Sequence, residues 1–191
     1  MQRSSFVKLL LTAGAAITSP VTLAAKYLSG KRTGKGFMVA AGKDRNDHSI
    51  SLMEGDTFFT KISTADTGGG MYLFESIRVK EGGPALHVHP EQDEWWYVLS
   101  GEFLIKVGEE TYTAKAGDSV FGPRGVPHAF TKVGEGEARL QILYQPAGKM
   151  EHYFKTVSEG AMTKMTPAEQ DAYREAHGFK RVGPPIGHLK Q

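Results

Sequence analysis

The 191-residue chain contains no cysteine. Disulfides, thiolate metal ligands and cysteine nucleophiles are therefore excluded, while the compartment stays open because an exported protein can do without cysteine. Long apolar runs are missing too: none approaches the roughly 20 residues needed to span a bilayer. There is no phosphate-cradling glycine loop and no Gly-x-Ser-x-Gly nucleophile elbow. No repeat marks a solenoid or propeller, and no helix-turn-helix pattern precedes the β-rich region. A large charge of one sign is also absent. The formal charge is +2, and residues 1–25 hold Arg3 and Lys8 but no acid, so the remainder is neutral. A neutral domain without a basic stripe argues against nucleic acid as a partner.

What is present begins with a three-part N-terminus. Arg3 and Lys8 give a positive start, Leu9–Ile17 a short apolar run, and Leu23-Ala24-Ala25 small residues suited to cleavage. That order is expected of an export signal leading to the periplasm or the extracellular space. Arg3-Ser4-Ser5-Phe6-Val7-Lys8 is similar to a twin-arginine signal in which Ser4 replaces the second arginine, so the twin-arginine and general secretory routes both stay open. The alternative is an amphipathic N-terminal helix of a cytosolic protein. The chain length suits one domain with a real core. The expected division is an export-like segment at 1–25, a basic, glycine-containing lead-in at 26–45, a β-barrel at 46–148 and a helical tail packed on it at 149–191.

Short β-like runs fill the centre: Phe37–Ala40, Ser49–Met53, Thr57–Ser63, Met71–Lys80, Ala85–His89, Glu94–Leu99, Glu102–Val107, Glu110–Ala114, Ser119–Phe121, Pro127–Val133 and Ala138–Tyr144. Turn residues separate them, and Gly108-Glu109 is a hairpin candidate. Many short strands at close spacing indicate a sandwich or barrel, an all-β fold. Helical signals come late. Met150–Val157 suits one helix; Thr166-Pro167-Ala168-Glu169 opens a second with a capping box, and Gly178 ends it. The tail through Pro184-Pro185 is expected to be extended on the surface.

The chemistry concentrates in Ala85-Leu86-His87-Val88-His89-Pro90-Glu91-Gln92-Asp93-Glu94. On a strand, residues two apart share a face, so His87 and His89 present two imidazoles together. Glu94 shares a face of the next strand with Trp96 and Val98, where a carboxylate is costly unless paired, protonated or bound to metal. His128, approached through the turn Gly122–Gly125 and stiffened by Pro127, supplies a third imidazole. Three imidazoles and one carboxylate suit a divalent transition metal: Fe, Mn, Ni, Co, Cu or Zn.

These residues resemble the cupins. His87-x-His89, four residues, Glu94, six residues, Gly101 is similar to the first cupin motif; Gly117, five residues, Pro123-x-Gly125, two residues, His128 is similar to the second. The short spacing between them resembles that of small microbial members. Two positions depart: Glu81 stands where the family has glycine, with Gly82 and Gly83 beyond, and Lys132 stands where it has asparagine. The resemblance implies a jelly-roll (double-stranded β-helix) barrel of two antiparallel sheets, with metal in one mouth held by His87, His89, Glu94 and His128, and a homodimer. The segments Asp93–Leu99 and Pro146–Glu151 resemble quercetin-dioxygenase-like cupins. That narrower likeness implies a dioxygenase acting on a flavonol-like or other enolisable aromatic, with Glu94 as base for the substrate proton. The alternatives are a non-oxidative metal-dependent isomerase or decarboxylase, and a non-catalytic small-ligand-binding protein.

Each residue also has a plainer reading. His87 and His89 alone would be a hydrogen-bonded pair on a polar sheet face, and Glu94 a group that orients a histidine. Glu91, Asp93 and Arg124 read as solvated loop side chains. His48, His152, His177 and His188 have no partners at useful spacing and read as filler. Trp95 and Trp96 fall on opposite faces and read as packing, and Phe74, Phe103, Phe130 and Tyr144 as candidates for an apolar pocket around the metal.

Overall fold

A computed structural model of the protein describes residues 32–52 and 55–189. The export-like segment 1–25 lies outside the described residues. Among the described residues there are eleven strands: β1 (Ile50–Leu52), β2 (Asp56–Ile62), β3 (Tyr72–Arg78), β4 (Ala85–Val88), β5 (Asp93–Ser100), β6 (Glu102–Val107), β7 (Glu110–Lys115), β8 (Ser119–Gly122), β9 (His128–Val133), β10 (Ala138–Gln145) and β11 (Lys180–Pro185). Helices α1 (Met150–Ser158) and α2 (Pro167–Ala176) lie between β10 and β11, and a 3-10 turn (Ile186–Leu189) follows β11.

The strands form two antiparallel sheets, ordered β1-β2-β3-β10-β5-β8 and β11-β4-β9-β6-β7. This is the jelly-roll arrangement expected for an all-β chain of short strands. Period-two patterning sets what faces inward. In β10, Ala138, Leu140, Ile142 and Tyr144 are buried and the residues between them half-buried; in β5 the same holds for Glu94, Trp96 and Val98. Trp96, Phe74, Phe103 and Ile105 complete a core in which each large apolar side chain contributes about 1.5–3 kcal/mol. Trp95, on the outer face, is only half-buried and stacks on Tyr97 at 5.8 Å.

Gly101 shows why the first motif ends in glycine. It has φ +76° between β5 and β6, and a Cβ there would lie 2.4 Å from Ala138 Cβ. The two departures from the family pattern meet in space: Gly82, next to Glu81, bridges Lys132, whose N–H donates to Gly82 O at 2.9 Å. A Cβ at Gly83 would fall 1.8 Å from Phe130 O, so the close approach to β9 is made two residues later than the family's glycine.

Two expectations are corrected. Phe37–Ala40 forms no strand and pairs with none among the described residues; Phe37 and Met38 are exposed, and Arg45 lies over the Phe37 ring at 4.1 Å. The tail around Pro184-Pro185 is extended as expected, but it is also a strand. β11 pairs with β4, matching Lys180 to Val88 and Arg181 to His87, with an irregularity before Pro185. Its proline and glycine content hides it from strand propensity, yet prolines are tolerated on an edge strand. The capping box is present: Glu169 N–H donates to Thr166 Oγ1, and Thr166 N–H donates to Glu169 Oε2 at 2.7 Å.

Candidate metal centre

The register of the two sheets brings the four singled-out side chains to one point. β4 and β9 pair so that His87 is opposite His128, and their ring centroids are 4.7 Å apart. His89, just beyond β4, lies 5.1 Å from His87 and stacks on His128 at 5.5 Å. Glu94 comes from the facing sheet, where it is opposite Tyr144 of β10. The histidines and the carboxylate thus meet across the interior, and all four are buried.

Glu94 Oε2 lies 3.7, 3.5 and 3.0 Å from the Nε2 atoms of His87, His89 and His128. One ligand atom from each of the four residues fits within a mutual distance of 4.8 Å. Neighbouring ligands on one ion, each about 2.1 Å from it, are about 3 Å apart at right angles.

The outward-facing nitrogens explain the orientation. His87 Nδ1 meets Ala85 O at 2.7 Å, His128 Nδ1 meets Val126 O at 2.9 Å, and His89 Nδ1 meets Gln92 Oε1 at 3.1 Å. Each partner is an acceptor, so each Nδ1 donates outward and each ring turns its Nε2 inward. His89 Nε2 is buried with no hydrogen-bond partner among the described residues. Three Nε2 atoms thus converge on one carboxylate oxygen, with His128 Nε2 in hydrogen-bond range at 3.0 Å, and such a convergence is favourable only with protons or a cation among them. The buried group fits a divalent ion, and a hydrogen-bonded Nδ1 behind each imidazole is the support such ligands use.

The protonation tendencies agree with that role. Burial pushes His89 down to about 3 against the opposing pull of Glu94, which keeps the ring neutral. Burial alone would raise the Glu94 carboxyl, but hydrogen bonds from His128 and His87 outweigh it and hold the group below the usual carboxylate range. Tyr144 donates its hydroxyl to Glu94 Oε1 at 3.0 Å. Burial, then the Glu94 charge, raise its pKa and keep the phenol a donor. Glu94 therefore offers Oε2 to the histidines while Oε1 is held by Tyr144.

Arg124 is exposed and Asp93 half-buried, and the two are ion-paired with each other. Asp93 Oδ1 accepts from the Arg124 backbone N–H at 2.9 Å and from its Nε at 3.0 Å. With Gly125 N–H donating to His89 O at 2.8 Å, this fastens the turn before His128 to the strand carrying Glu94. Glu91 is exposed, and His48, His152, His177 and His188 stay outside the cluster.

A cavity of about 430 Å³ opens on the site, with His87, Glu94 and Tyr144 in its wall and Phe58, Phe130 and Ile142 among its apolar lining. Of the four aromatics expected there, Phe130 and Tyr144 line it, whereas Phe74 and Phe103 are packed in the core. Two contributors escaped sequence reasoning. Gln92 sits three residues past His89 and holds its ring; the amide donates to Pro146 O and Ala147 O at 3.0 and 2.8 Å. Phe179, just before the tail strand, stacks on His89 at 5.3 Å and meets His87 edge-on at 5.7 Å. Position inside the motif could have flagged Gln92; nothing local flags Phe179.

Residues 73–144, which contain all four side chains, match the family described as the cupin domain. That segment of the barrel is similar to a cupin domain. Among curated relatives, Protein SchB of Streptomyces halstedii is 30% identical over 87 residues, covering 44% of this chain and 63% of that protein. Polyketide synthase CurC of Streptomyces cyaneus is 27% identical over 92 residues, covering 47% and 57%. The chain thus spans about three fifths of the length of these two relatives. A solved RmlC-like cupin from Shewanella frigidimarina superposes with TM-score 0.48 at 19% identity, covering 61% of this chain and 96% of that one. Oxalate oxidase in complex with the substrate analogue glycolate gives TM-score 0.47 at 21% identity, covering 60% and 62%. Within the matched segment lies the buried His-His-Glu-His group able to bind a metal ion.

Proposed function

We propose that the protein is a metal-dependent dioxygenase acting on a flavonol-like or other enolisable aromatic substrate. The observation that carries this reading is the set of three Nδ1-anchored imidazoles aimed at one Glu94 oxygen at the end of an apolar cavity. His87, His89, His128 and Glu94 would hold the ion. When bound, a divalent ion supplies Lewis acidity that lowers the pKa of a substrate hydroxyl or enol.

The chain's own groups do the rest. The apolar wall formed by Phe58, Phe130 and Ile142 takes the aromatic body and limits water at the reacting end. Tyr144 fixes the Glu94 carboxylate through Oε1 and is a positioning residue. Glu94, with Oε1 held by the Tyr144 phenol, would take up the substrate proton at Oε2. The likeness of Asp93–Leu99 and Pro146–Glu151 to quercetin-dioxygenase-like cupins supports oxygen as co-substrate and a flavonol as the first compound to try. Export of the chain and a homodimer formed through barrel edges belong to the same reading, checked by the N-terminal sequence of the secreted form and by sedimentation.

The test is oxygen uptake by protein loaded anaerobically with Fe, Mn, Ni, Co, Cu or Zn in turn, across a flavonol panel. Uptake that depends on the ion and is lost in Glu94→Gln is the expected result. Full metal occupancy without uptake contradicts an oxygenase, and product formed under argon points to isomerisation or decarboxylation instead.

A further inference from the structure

The wall of the cavity is not built by the cupin-matched segment alone. Met150, Tyr153, Phe154, Arg174, Phe179 and Arg181 all line it, and all lie after residue 144, where the family match ends. Two of the six are arginines. Arg181 is paired directly with His87 across β11 and β4. Directly opposite residues of an antiparallel pair project from the same face, so Arg181 shares the metal-side face of its sheet. Arg174 comes from α2.

The two guanidinium groups share one carboxylate. Asp171 accepts Arg174 at 2.8 Å and Arg181 at 3.0 and 2.6 Å. One carboxylate against two guanidinium groups leaves one positive charge. Nearby Glu175 is offset by Lys180 at 3.8 Å. Elsewhere in the wall, Arg78 is ion-paired with Asp56 and adds no net charge. The tail-derived wall therefore carries one positive charge, while the Glu94 carboxylate, and whatever ion it and the histidines hold, lies at the other part of the cavity.

We propose that Arg174 and Arg181 form an anion subsite, and that the substrate class is an aromatic carboxylate whose ring oxygens face His87, His89, Glu94 and His128 while its carboxylate faces the arginines. This rests on the reading of the metal cavity as the substrate site. Guanidinium groups pair with carboxylates through planar, two-pronged hydrogen bonds, and Asp171 already shows that geometry on Arg181. Asp171 is then the internal competitor that a substrate carboxylate displaces or joins.

Caffeate and its methyl ester, which have the same ring and the same catechol oxygens, distinguish the contribution of the carboxylate. Calorimetric titration of the full chain, once loaded with Zn and once stripped with chelator, should give tighter binding of caffeate, by up to about fivefold for a partly exposed ion pair. The preference should fall toward one in Arg174→Gln/Arg181→Gln, persist largely in Arg181→Lys, and increase in Asp171→Asn, which frees the arginines. Ester affinity reports whether each variant keeps its cavity. A purely structural role for the Asp171 cluster predicts the opposite for Asp171→Asn, namely loss of binding. Equal affinity for the two probes, a preference that the double variant leaves intact, or no binding of either probe overturns the proposal. The chelator-stripped titration separates the two readings: preference without metal dependence keeps the arginine subsite and counts against the metal, whereas metal dependence without preference does the reverse.

Discussion

Gln92 holds His89 by one hydrogen bond and the chain at Pro146 and Ala147 by two more. The space it occupies is made by Gly148, where a Cβ would lie 2.6 Å from the amide nitrogen. Removing the amide leaves His89 Nδ1 without its acceptor, so the ring loses both its tautomer and its aim. Loss of such a supporting partner typically weakens metal affinity by about 10- to 100-fold. Gln92→Ala is expected to show that loss in a chelator competition while the circular-dichroism spectrum stays that of the wild type; unchanged affinity would mean the backbone alone aims His89. A second residue, Asp66, reports on acid stability. Burial raises its carboxyl, but hydrogen bonds from Ser63 and the Arg45 ion pair outweigh that and leave it lowered in the folded state. A lowered folded pKa gives stability that is present above the unfolded value of about 3.9 and is lost as pH falls through the folded value. Urea midpoints should therefore drop on acidification below about pH 4, and Asp66→Asn should be less stable at neutral pH with a shallower acid loss.

Among the elements, β11 changes the account of the site most. It adds an edge strand to the sheet that carries the histidines, and Phe179, the residue before it, packs on two of them. Truncating a buried phenylalanine to alanine costs about 3–5 kcal/mol, part of it from the cavity left behind. Phe179→Ala is expected to lose stability on that scale and to weaken metal binding, because His87 and His89 lose the ring that confines them. A stable variant with wild-type metal affinity would show that β11 is only a cover. The central strands were legible in the sequence because alternation and turn residues specify them locally: Glu102–Val107, with the Gly108-Glu109 turn after it, lies where period-two patterning puts it. Helix α2 was legible from its capping box for the same reason. β11 was not, because a Gly-Pro-Pro segment becomes a strand only through a distant partner, β4.

For the whole molecule, the site is a product of topology. His87, His89 and His128 come from one sheet and Glu94 from the other, and the sheets face each other across a shared interior. The spacing of the two motifs made all four residues legible, since each motif fixes where a side chain points along its own strand. Gln92, Tyr144 and Phe179 were not assigned their roles beforehand, because their contacts with the site depend on which strands and loops become neighbours. The same topology makes the centre and the fold interdependent. A metal that binds only the folded barrel stabilises it by about 2.7 kcal/mol at a hundredfold excess over its Kd.

The central claim is that these four side chains bind one ion together. Elemental analysis of wild-type protein and of His128→Ala, both reconstituted with the same divalent metal and then desalted, tests it most directly. The account predicts one ion per wild-type chain and a clear loss in the variant, with the barrel's circular-dichroism spectrum retained in both. Equal metal content in the two proteins, or none in the wild type after reconstitution, would contradict it.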